Sequence, residues 1–474
     1  MAATATATAT AADRPPNIIV VFTDDQGYGD LGCYGSPNIE TPHIDRLAAE
    51  GMRFTSFYAA PFCGPSRAAL ITGCYPPRSS LAFNHSPGAQ TGIHANEVTI
   101  AEILRSAGYA TLHVGKWHLG DAPEFLPTRH GFDEYFGLPY SNDMYPHHEM
   151  LAIQEDEPPE QRAIRERVRY TGSFWNQGPE KFPHTFQKPL PLIDGEIIVE
   201  TMPDQRMLTT RYTERAMRFI EEHQQEPFFV YLAHAMPHVY LHVSDRFRDK
   251  SERGLYGDVI MEIDWGVGKI RQRLEQLGLD DNTLIVFTSD NGPWLPYGID
   301  GGSAGPLSGG KGGTHEGSMR VPAIFWWPDR IAAGSRSNEI AANMDLLPTF
   351  ADITNTPLPK DRVIDGRSLL PLLTGETDRG PHDMFYYFVG NLPGDAKFQA
   401  VRDRRWKIVV GPDDDPKKLF RPLALYDLNQ DVSERFNRIK DHPEEAERLE
   451  KTARAYYHEF RRDIRPVGQL KPPE

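Results

Sequence analysis

The chain has 474 residues, of which 39% are hydrophobic and 25% charged, which is ordinary for a water-soluble globular protein and enough for more than one domain. The formal net charge of -15 argues against nucleic acid or an anionic membrane as the main partner, because both attract basic surfaces. Three cysteines, Cys33, Cys63 and Cys74, exclude a disulfide framework. Three reduced thiols are expected, with one bridge left open.

The N-terminal stretch MAATATATATAADRPP is rich in Ala and Thr. It lacks the basic and leucine-rich regions of a secretory signal, and no apolar run of about 18 residues predicts a transmembrane helix. We therefore expect a disordered tail over residues 1–15. The chain as written is expected in the cytoplasm, or in the periplasm or outside the cell if its start is truncated or altered.

The first strand is predicted at NIIVVF, a continuous run rich in β-branched residues that is typical of a strand buried on both faces. TPHIDRLAAEG and SRAALITG then have helical spacing. Further helical segments each precede a strand, at Ala110–Val114, Phe228–Ala233 and Leu284–Thr288. This alternation predicts an α/β fold with a large mixed, mainly parallel sheet flanked by helices.

The pattern changes near residues 371–383. Beyond them, DMFYYF, FQAVRDRRWKIVVG and LALYDLNQD indicate short, half-buried strands of an antiparallel sheet. PEEAERLEKTARAYYHEFRRDI indicates a final amphipathic helix. We predict a main domain over residues 16–375 and a small α+β domain over residues 376–474.

Two predicted strands end in the same polar pattern. Asp24 and Asp25 follow the first strand in IIVVFTDDQG, and Asp290 and Asn291 follow a later one in LIVFTSDNG. Ligands of α/β sheets bind at the carboxyl ends of strands, and adjacent buried carboxylates are costly without a cation. Their oxygen atoms favour Ca²⁺ or Mg²⁺ over Zn²⁺. Either pair alone is equally typical of a turn or a helix cap, but the repetition favours a metal site.

Cationic and acid–base side chains follow other predicted strands. Lys116 and His118 are two residues apart, so on an extended segment they would face the same side. His238 follows another strand, and Lys311 lies in a Gly-rich loop whose backbone can approach a ligand closely. Each of these residues alone is typical of packing or of a surface loop. Together with Arg67 and a divalent metal, they predict a pocket for a multiply charged oxyanion ester.

A family resemblance begins at PFCGPSRAALITG, which places the Cys63 thiol directly before a predicted helix start, where free N–H groups favour an anion. CGPSRAALITG resembles the sulfatase pattern Cys-x-Pro-Ser-Arg followed by Thr-Gly, and GYATLHVGKWHLG resembles the second signature of that family. TDDQG, SDNG and GKGGTHEGSMRVPAIFWWPDRI also occur as the family has them, so the likeness covers nearly the whole chain. The sequence resembles an arylsulfatase-type, formylglycine-dependent member of the alkaline phosphatase superfamily.

The resemblance implies that a formylglycine-generating or equivalent maturation enzyme converts Cys63 to Cα-formylglycine. One hydroxyl of the hydrated aldehyde would attack the ester sulfur, and the second would then lose its proton so that sulfate leaves. Asp24, Asp25, Asp290 and Asn291 resemble the Ca²⁺ ligands of the family, with residue 63 completing the shell and Mg²⁺ as an alternative ion.

Further roles are implied residue by residue. Arg67 would hold the hydrated aldehyde, and Lys116 and Lys311 would bind sulfate oxygens. His118 would be the base that releases sulfate, and His238 in MPHVY would protonate the leaving alcohol.

Two of these assignments leave an alternative open. His234 competes with His238 as the proton donor. Ser141 in GLPYSND resembles a family serine near the sulfate, but it is also typical of a surface turn. We further expect residue 63 to lie within a few bond lengths of the three carboxylates and in contact with water.

The implied function is hydrolysis of a sulfate monoester, of a carbohydrate rather than a small aryl sulfate, in a catalytic domain over residues 16–375. The alternatives are a phosphonate monoester or phosphodiester hydrolase on the same scaffold and an unmodified, non-catalytic binding homologue. His147, His148, Trp175 and the turn at Trp294–Tyr297 are expected at the rim, where aromatic faces suit a sugar or an aryl group.

Overall fold

The computed structural model describes residues 14–145, 188–390, 397–413 and 419–471. The expectations for the tail before residue 14 and for His147, His148 and Trp175 lie outside these ranges. Within them, no helix combines the length and the apolar composition that crossing a membrane requires.

Strands and helices alternate along most of the described chain. The strands are β1 (Asn17–Thr23), β2 (Met52–Tyr58), β3 (Thr91–Gly92), β4 (Ala110–Gly115), β5 (Glu134–Gly137), β6 (Pro191–Asp194), β7 (Ile197–Thr201), β8 (Phe228–Ala233), β9 (Thr283–Ser289), β10 (Arg320–Trp326), β11 (Ser335–Ser337), β12 (Ala341–Ala342), β13 (Phe385–Val389), β14 (Lys397–Arg402), β15 (Trp406–Gly411), β16 (Arg421–Asp427) and β17 (Gly468–Gln469). The α-helices are α1 (Pro42–Glu50), α2 (Cys63–Thr72), α3 (Ile100–Ser106), α4 (Leu208–Glu222), α5 (Leu255–Leu277), α6 (Glu316–Met319), α7 (Leu346–Ile353), α8 (Leu370–Leu373) and α9 (Pro443–Phe460).

The large sheet has β1 near its centre, paired in parallel with β8 on one side and β9 on the other. Its strand order is β11-β2-β10-β9-β1-β8-β4-β5-β6-β7, with β12 beside β2. β4 is parallel to both β8 and β5, whereas β10, β6 and β7 run antiparallel to their neighbours. The predicted mixed, mainly parallel sheet is confirmed, and the carboxyl ends of β1, β4, β8 and β9 meet at one edge.

Helices cover both faces of this sheet. Successive side chains of a strand point to opposite faces, so β1 contributes to two separate cores. Ile19 and Val21 pack on the side of α1, α4 and α5, whereas Ile18 and Val20 pack on the side of α2, α3 and α7. Burial on both faces explains why the β1 sequence is a continuous apolar run rather than an alternating one.

The C-terminal sheet is an antiparallel meander of β13, β14, β15 and β16, and α9 packs against its last three strands. Aromatic side chains fill this third core, where the rings of Tyr386 and Tyr456 stack with centroids 3.4 Å apart. Tyr58 and Tyr75 from the first part of the chain belong to the same core. The predicted antiparallel α+β region is therefore confirmed, while the boundary between residues 375 and 376 stays a prediction.

Candidate active site

The acidic residues that follow β1 and β9 lie side by side. The two strands are parallel and pair Thr23 with Ser289, so Asp24 and Asp290 leave the sheet at the same edge. The backbone N–H of Asp25 donates to Asp290 Oδ1 at 3.0 Å, and Asn291 Nδ2 donates to Asp25 Oδ1 at 2.7 Å. All four side chains are buried. The register of two neighbouring strands thus produces the predicted cluster of oxygen atoms.

Helix α2 begins at Cys63 and points its N-terminus at these carboxylates. Gly73 ends the helix in the left-handed conformation that glycine adopts readily. Asn84 Oδ1 accepts a hydrogen bond from the Gly64 N–H at 2.8 Å, which fixes the first turn. Cys63 Sγ lies 3.3 Å from Asp24 Oδ1 and 3.9 Å from Asp25 Oδ1.

Arg67 lies one turn further along α2 and is completely buried. Its Nη2 donates to Asp24 Oδ2 at 2.8 Å and to Asp290 Oδ2 at 3.2 Å. Its Nη1 donates to the carbonyl oxygen of Lys116 at 2.6 Å. One guanidinium therefore connects the helix with the residues that follow β1, β9 and β4.

Lys116 follows β4 and also points at Asp24. Its Nζ lies 2.5 Å from Asp24 Oδ2 and donates to Ser141 Oγ at 3.1 Å, so the predicted serine does belong to this cluster. His118 is buried, and its ring nitrogens have no hydrogen-bond partner among the residues described. Its φ of 64° is left-handed, so the predicted extended segment is wrong at this residue.

His238 and Lys311 close the pocket beside Asp25. Nδ1 of His238 donates to the carbonyl oxygen of Val239 at 2.5 Å, which leaves Nε2 to face Asp25 Oδ2 at 3.6 Å. Lys311 Nζ lies 2.9 Å from both carboxylate oxygens of Asp25 and 4.2 Å from the ring centroid of Trp294. The predicted histidine and the predicted loop lysine therefore contact the same carboxylate.

The competing His234 lies elsewhere. It is completely buried, and its ring nitrogens have no hydrogen-bond partner in the described part of the chain. Burial lowers the pKa of His234 to about 3. It does not belong to the group of possible metal ligands, in which one atom each of Asp24, Asp25, Cys63 and His238 lies within 4.8 Å of the others.

Burial raises the pKa of the Cys63 thiol well above its usual value, and the Asp24 carboxylate raises it further. An unmodified Cys63 is therefore a protonated thiol at neutral pH, which is a poor nucleophile. Burial would also raise the pKa of Asp24, but Lys116 and the other nearby cations hold it far below its usual value. Burial and the charge of Asp24 raise the pKa of Asp290.

The two site histidines are neutral in the free protein. Burial lowers the pKa of His118 well below its usual value, and the charges of Lys116 and Arg67 lower it further. Burial and the charge of Lys311 likewise lower the pKa of His238. For Lys116, burial acts to lower the pKa, but Asp24 reverses this and raises it. The lysine is therefore charged, and a neutral His118 is able to accept a proton.

The oxygen atoms at this edge fit a hard divalent cation. The carboxylates of Asp24 and Asp25 converge there, and Asp290 and Asn291 are hydrogen-bonded to Asp25. Oxygen ligands of this kind are those that Ca²⁺ and Mg²⁺ prefer. Asn291 Oδ1 is buried without a hydrogen-bond partner among the described residues, although buried acceptors are normally paired. A cation at this position would satisfy that oxygen.

Two cysteine expectations have different outcomes. Cys33, Cys63 and Cys74 are all free thiols, so the disulfide bridge that composition left open is absent. Cys63 lies close to Asp24 and Asp25 as expected, but it is only 1% exposed, so the expected contact with water is wrong. Phe62 and Trp294 nearby are partly exposed, whereas the side chain of Lys311 is only 5% exposed.

Sequence reasoning missed Asn84, which holds the start of α2. No pattern marks a single asparagine 20 residues after Gly64 as the partner of that residue. The Trp294 turn was expected only at the rim, yet its ring lies against both Lys311 and His238, whose ring centroid is 5.3 Å away. Only the folded chain shows that this tryptophan contacts the pocket.

Comparisons with known proteins cover the sheet, the site and the C-terminal region. The sulfatase family model matches residues 16–356, and a model described as N-sulphoglucosamine sulphohydrolase, C-terminal, matches residues 311–461. N-acetylgalactosamine-6-sulfatase from Canis lupus familiaris is 42% identical over 399 residues, which are 80% of this chain and 70% of that protein. Arylsulfatase A from Homo sapiens is 36% identical over 446 residues, which are 90% of this chain and 83% of that protein.

A solved structure gives the same result. The crystal structure of Ps i-CgsB in complex with k-i-k-neocarrahexaose superimposes with a TM-score of 0.75 at 31% identity, covering 94% of this chain and 93% of that chain. The matches thus include both sheets and every residue of the pocket. The chain belongs to the sulfatase family and is a sulfuric ester hydrolase.

Proposed function

We propose that this protein hydrolyses the sulfate monoester of a saccharide, and also aryl sulfates, with Cys63 converted to Cα-formylglycine as the nucleophile. The observation that carries the proposal is the position of Cys63 at the start of α2, 3.3 Å from Asp24 and inside a cluster of buried cations. The conversion requires a formylglycine-generating or equivalent maturation enzyme as a partner. We also propose that residues 16–375 form the catalytic domain and residues 376–474 a separate α+β domain.

The protonation state of Cys63 supports the modification. A thiol whose pKa is raised by burial supplies little thiolate, so the unmodified residue has no activated nucleophile. The hydrated aldehyde supplies two hydroxyl groups on one carbon, one to attack sulfur and one whose deprotonation lets sulfate leave. The N-terminus of α2 favours the anionic sulfate group beside it, because its free N–H groups carry partial positive charge.

Asp24, Asp25, Asp290 and Asn291 are the residues that would hold the metal ion, which we propose to be Ca²⁺, with Mg²⁺ as the alternative. When bound, such an ion lowers the pKa of a neighbouring hydroxyl and neutralises negative charge. The carboxyl groups of Asp24, Asp25 and Asp290 lie among the cations Arg67, Lys116 and Lys311. A divalent cation would therefore leave the pocket with the excess positive charge that an anionic sulfate ester requires.

The cationic side chains bind the ester and stabilise the charge that develops on it. Lys116 is held by Asp24 and Ser141, and Lys311 by Asp25 and the face of Trp294, so both ammonium groups are oriented before substrate binds. Preorganised charges in a water-excluded site stabilise a transition state more strongly than mobile ones. Arg67 would hold an oxygen atom on residue 63.

Two histidines move the protons. His238 donates its Nδ1 proton to Val239, so in the neutral ring Nε2 carries no proton. The negative charge of a bound sulfate ester would favour the charged ring, so that Nε2 takes up a proton and then delivers it to the leaving alcohol oxygen. His118 is buried and neutral, so it would accept the proton whose loss releases sulfate. The two proposed acid–base groups follow different strands, His118 after β4 and His238 after β8.

The alcohol part of the substrate would lie against Trp294. This ring is partly exposed and lies against Lys311 of the pocket. An aromatic face suits a sugar or an aryl ring. A saccharide is favoured because the similar proteins include an N-acetylgalactosamine-6-sulfatase and a structure in complex with neocarrahexaose.

Peptide mass spectrometry tests the modification, and rate measurements test the chemistry. In natively expressed protein the peptide with residue 63 should have lost one sulfur and two hydrogen atoms and gained one oxygen. Turnover should be faster on sulfate monoesters than on phosphonate monoesters or phosphate diesters. Active protein without the modified peptide would contradict the nucleophile, and a preference for phosphorus esters would favour the alternative function.

Substitution of Cys63 tests the proposed nucleophile directly. Cys63→Ser should abolish turnover, because a serine sulfate ester has no second hydroxyl through which sulfate can leave. Its melting temperature should match that of the native chain, since serine is of similar size. Full activity of Cys63→Ser would exclude the mechanism, and an inactive wild-type protein without modification would favour the binding homologue.

A further inference from the structure

The loop that carries Lys311 is held from behind by the C-terminal sheet. Lys407 of β15 is completely buried, and its Nζ donates to the carbonyl oxygen of Thr314 at 2.6 Å and to Glu316 Oε1 at 3.0 Å. The same ammonium lies 2.9 Å from Glu434 Oε1. A buried cation of the C-terminal region thus contacts the backbone three residues beyond Lys311.

The segment around Glu434 holds the same loop at further points. The backbone N–H of Glu316 donates to Glu434 Oε2 at 2.6 Å. Ser433 Oγ donates to the carbonyl oxygen of Pro306 at 2.5 Å, and the hydroxyl of Ser308 donates to the carbonyl oxygen of Ser433. Residues 306–316 are therefore tied to the C-terminal region at both ends.

The opposite side of this loop faces the pocket. The N–H of Lys311 donates to the carbonyl oxygen of Pro293 at 3.0 Å, and the N–H of Gly312 donates to that of Pro61 at 2.9 Å. Gly309 and Gly312 have φ values of 76° and 90°, which side chains disfavour. A glycine-rich segment has many accessible conformations, so its single conformation depends on contacts from outside it.

The charges around Lys407 suit a positioning role. Lys407 contacts the two buried carboxylates of Glu316 and Glu434, and Arg320 and Arg402 contact Glu316 as well. Burying such ions costs desolvation, so a buried ion cluster contributes little net stability compared with apolar packing. Its directional contacts, however, allow only one arrangement of the loop.

We propose that Lys407, supported by Glu434, is a positioning residue that holds the 306–316 loop so that Lys311 meets the sulfate group. The C-terminal sheet is then part of the catalytic apparatus, although none of its residues contacts the pocket cluster described above. The inference rests on the proposed role of Lys311 in binding and neutralising the sulfate ester.

Hydrogen exchange tests, without reference to activity, whether Lys407 holds the 306–316 loop. Lys407→Met should accelerate exchange of the Lys311 and Gly312 amides by about 10-fold or more, because their hydrogen bonds open when the loop is released. Leu449→Ala is the matched control, since Leu449 lies on helix α9 and its truncation leaves a cavity in the same C-terminal core, outside the 306–316 loop. Unchanged exchange in Lys407→Met, or equal acceleration in Leu449→Ala, would overturn the proposal.

Turnover tests the catalytic consequence. Lys407→Met should lower kcat by about 10- to 100-fold, the range expected when a charged group moves by about 1 Å, with KM changed much less. In a Lys311→Ala background the same substitution should have little further effect, because it acts through Lys311. An equal loss of kcat in both backgrounds would show that Lys407 acts independently and would contradict us.

A milder variant covers the case in which Lys407→Met does not fold. Glu434→Gln keeps the side-chain shape and removes one counter-charge of Lys407, so it should shift exchange and kcat in the same direction by a smaller factor. If Glu434→Gln changed neither the exchange rate nor kcat, the proposed positioning role of Lys407 would be overturned. Turnover that survives Lys311→Ala would instead refute the proposed role of Lys311, while hydrogen exchange would still decide whether the sheet holds the loop.

Discussion

At the scale of a single residue, the surroundings of Lys116 determine how strongly its charge acts. Its ammonium group is buried between Asp24 and Ser141. Burial removes water that would screen the charge, so the effect that we propose for it on a bound sulfate group is larger than that of a surface lysine. The neighbouring carboxylate keeps it charged, since Asp24 outweighs the burial that would lower its pKa.

We expect Lys116→Ala to lower kcat on a sulfate monoester on the order of 10²- to 10³-fold, the effect of removing one preorganised electrostatic donor. Steady-state kinetics measures the change, and near-ultraviolet circular dichroism checks that the fold remains. Lys269 on helix α5 is a suitable control for substitution by alanine, because it lies outside the pocket. A neutral Lys116→Ala would remove this lysine from the mechanism.

The two candidate histidines can be separated by leaving-group chemistry. His238→Ala should slow hydrolysis of a saccharide sulfate, whose alkoxide is a poor leaving group, far more than hydrolysis of a nitrophenyl sulfate, which needs no proton donor. His234→Ala should not discriminate between these esters, since His234 lies outside the ligand group around Asp25. The opposite pattern would transfer the role of proton donor to His234.

At the scale of secondary-structure elements, the start of helix α1 is capped by a residue distant in the chain rather than by its own N-cap side chain. Its N-cap residue Thr41 makes no capping bond with its side chain. Instead, Oδ1 of Asp264 on helix α5 accepts hydrogen bonds from the backbone N–H groups of His43 at 3.0 Å and Ile44 at 2.8 Å. Two helices distant in sequence are joined by one carboxylate that satisfies otherwise unpaired donors.

Asp264→Ala should therefore lower the free energy of unfolding by about 1–2 kcal/mol, the usual cost of losing a helix cap with its donors left buried. Asp264→Asn should retain most of the stability, because its amide oxygen can accept the same bonds. Urea denaturation measures both values, and kcat should stay unchanged because α1 does not reach the pocket. Equal stability of Asp264→Ala and the native chain would show that water caps the helix instead.

At the scale of the whole molecule, the pocket is assembled from distant parts of the chain. Asp25 and Asp290 are 265 residues apart, yet the backbone of one donates to the side chain of the other. An ion bound by these groups would bind the folded chain only, because the unfolded chain does not bring them together. Metal binding and folding should therefore be thermodynamically linked.

Ca²⁺ should raise the melting temperature and EGTA should lower both the melting temperature and turnover. At a concentration 100 times its dissociation constant, an ion that binds only the folded state stabilises it by about 2.7 kcal/mol. Differential scanning calorimetry measures the shift, and Asp290→Asn serves as the control because it removes one carboxylate and should reduce the response. A melting temperature indifferent to Ca²⁺ and EGTA in the native chain would contradict the metal site.

The alternation of strands and helices predicted the sheet because strands buried on both faces must be apolar throughout, as in β1 and β9. The signatures around Cys63 and Lys116 predicted the family, which the comparisons confirm. The sequence did not predict three features of the site. These are the burial of Cys63, the left-handed backbone at His118 and the contact of Trp294 with Lys311. They depend on loops whose conformations are set by distant contacts.

The amino-acid sequence by itself determined the fold class, the family and the set of polar residues at strand ends, because periodicity and motifs are local properties of a chain. Only the tertiary structure decided that His238 rather than His234 lies against Asp25, that Asn84 and Asp264 hold helix starts, and that the C-terminal sheet contacts the loop of Lys311. These contacts join residues far apart in the chain, and strand order and packing alone bring them together.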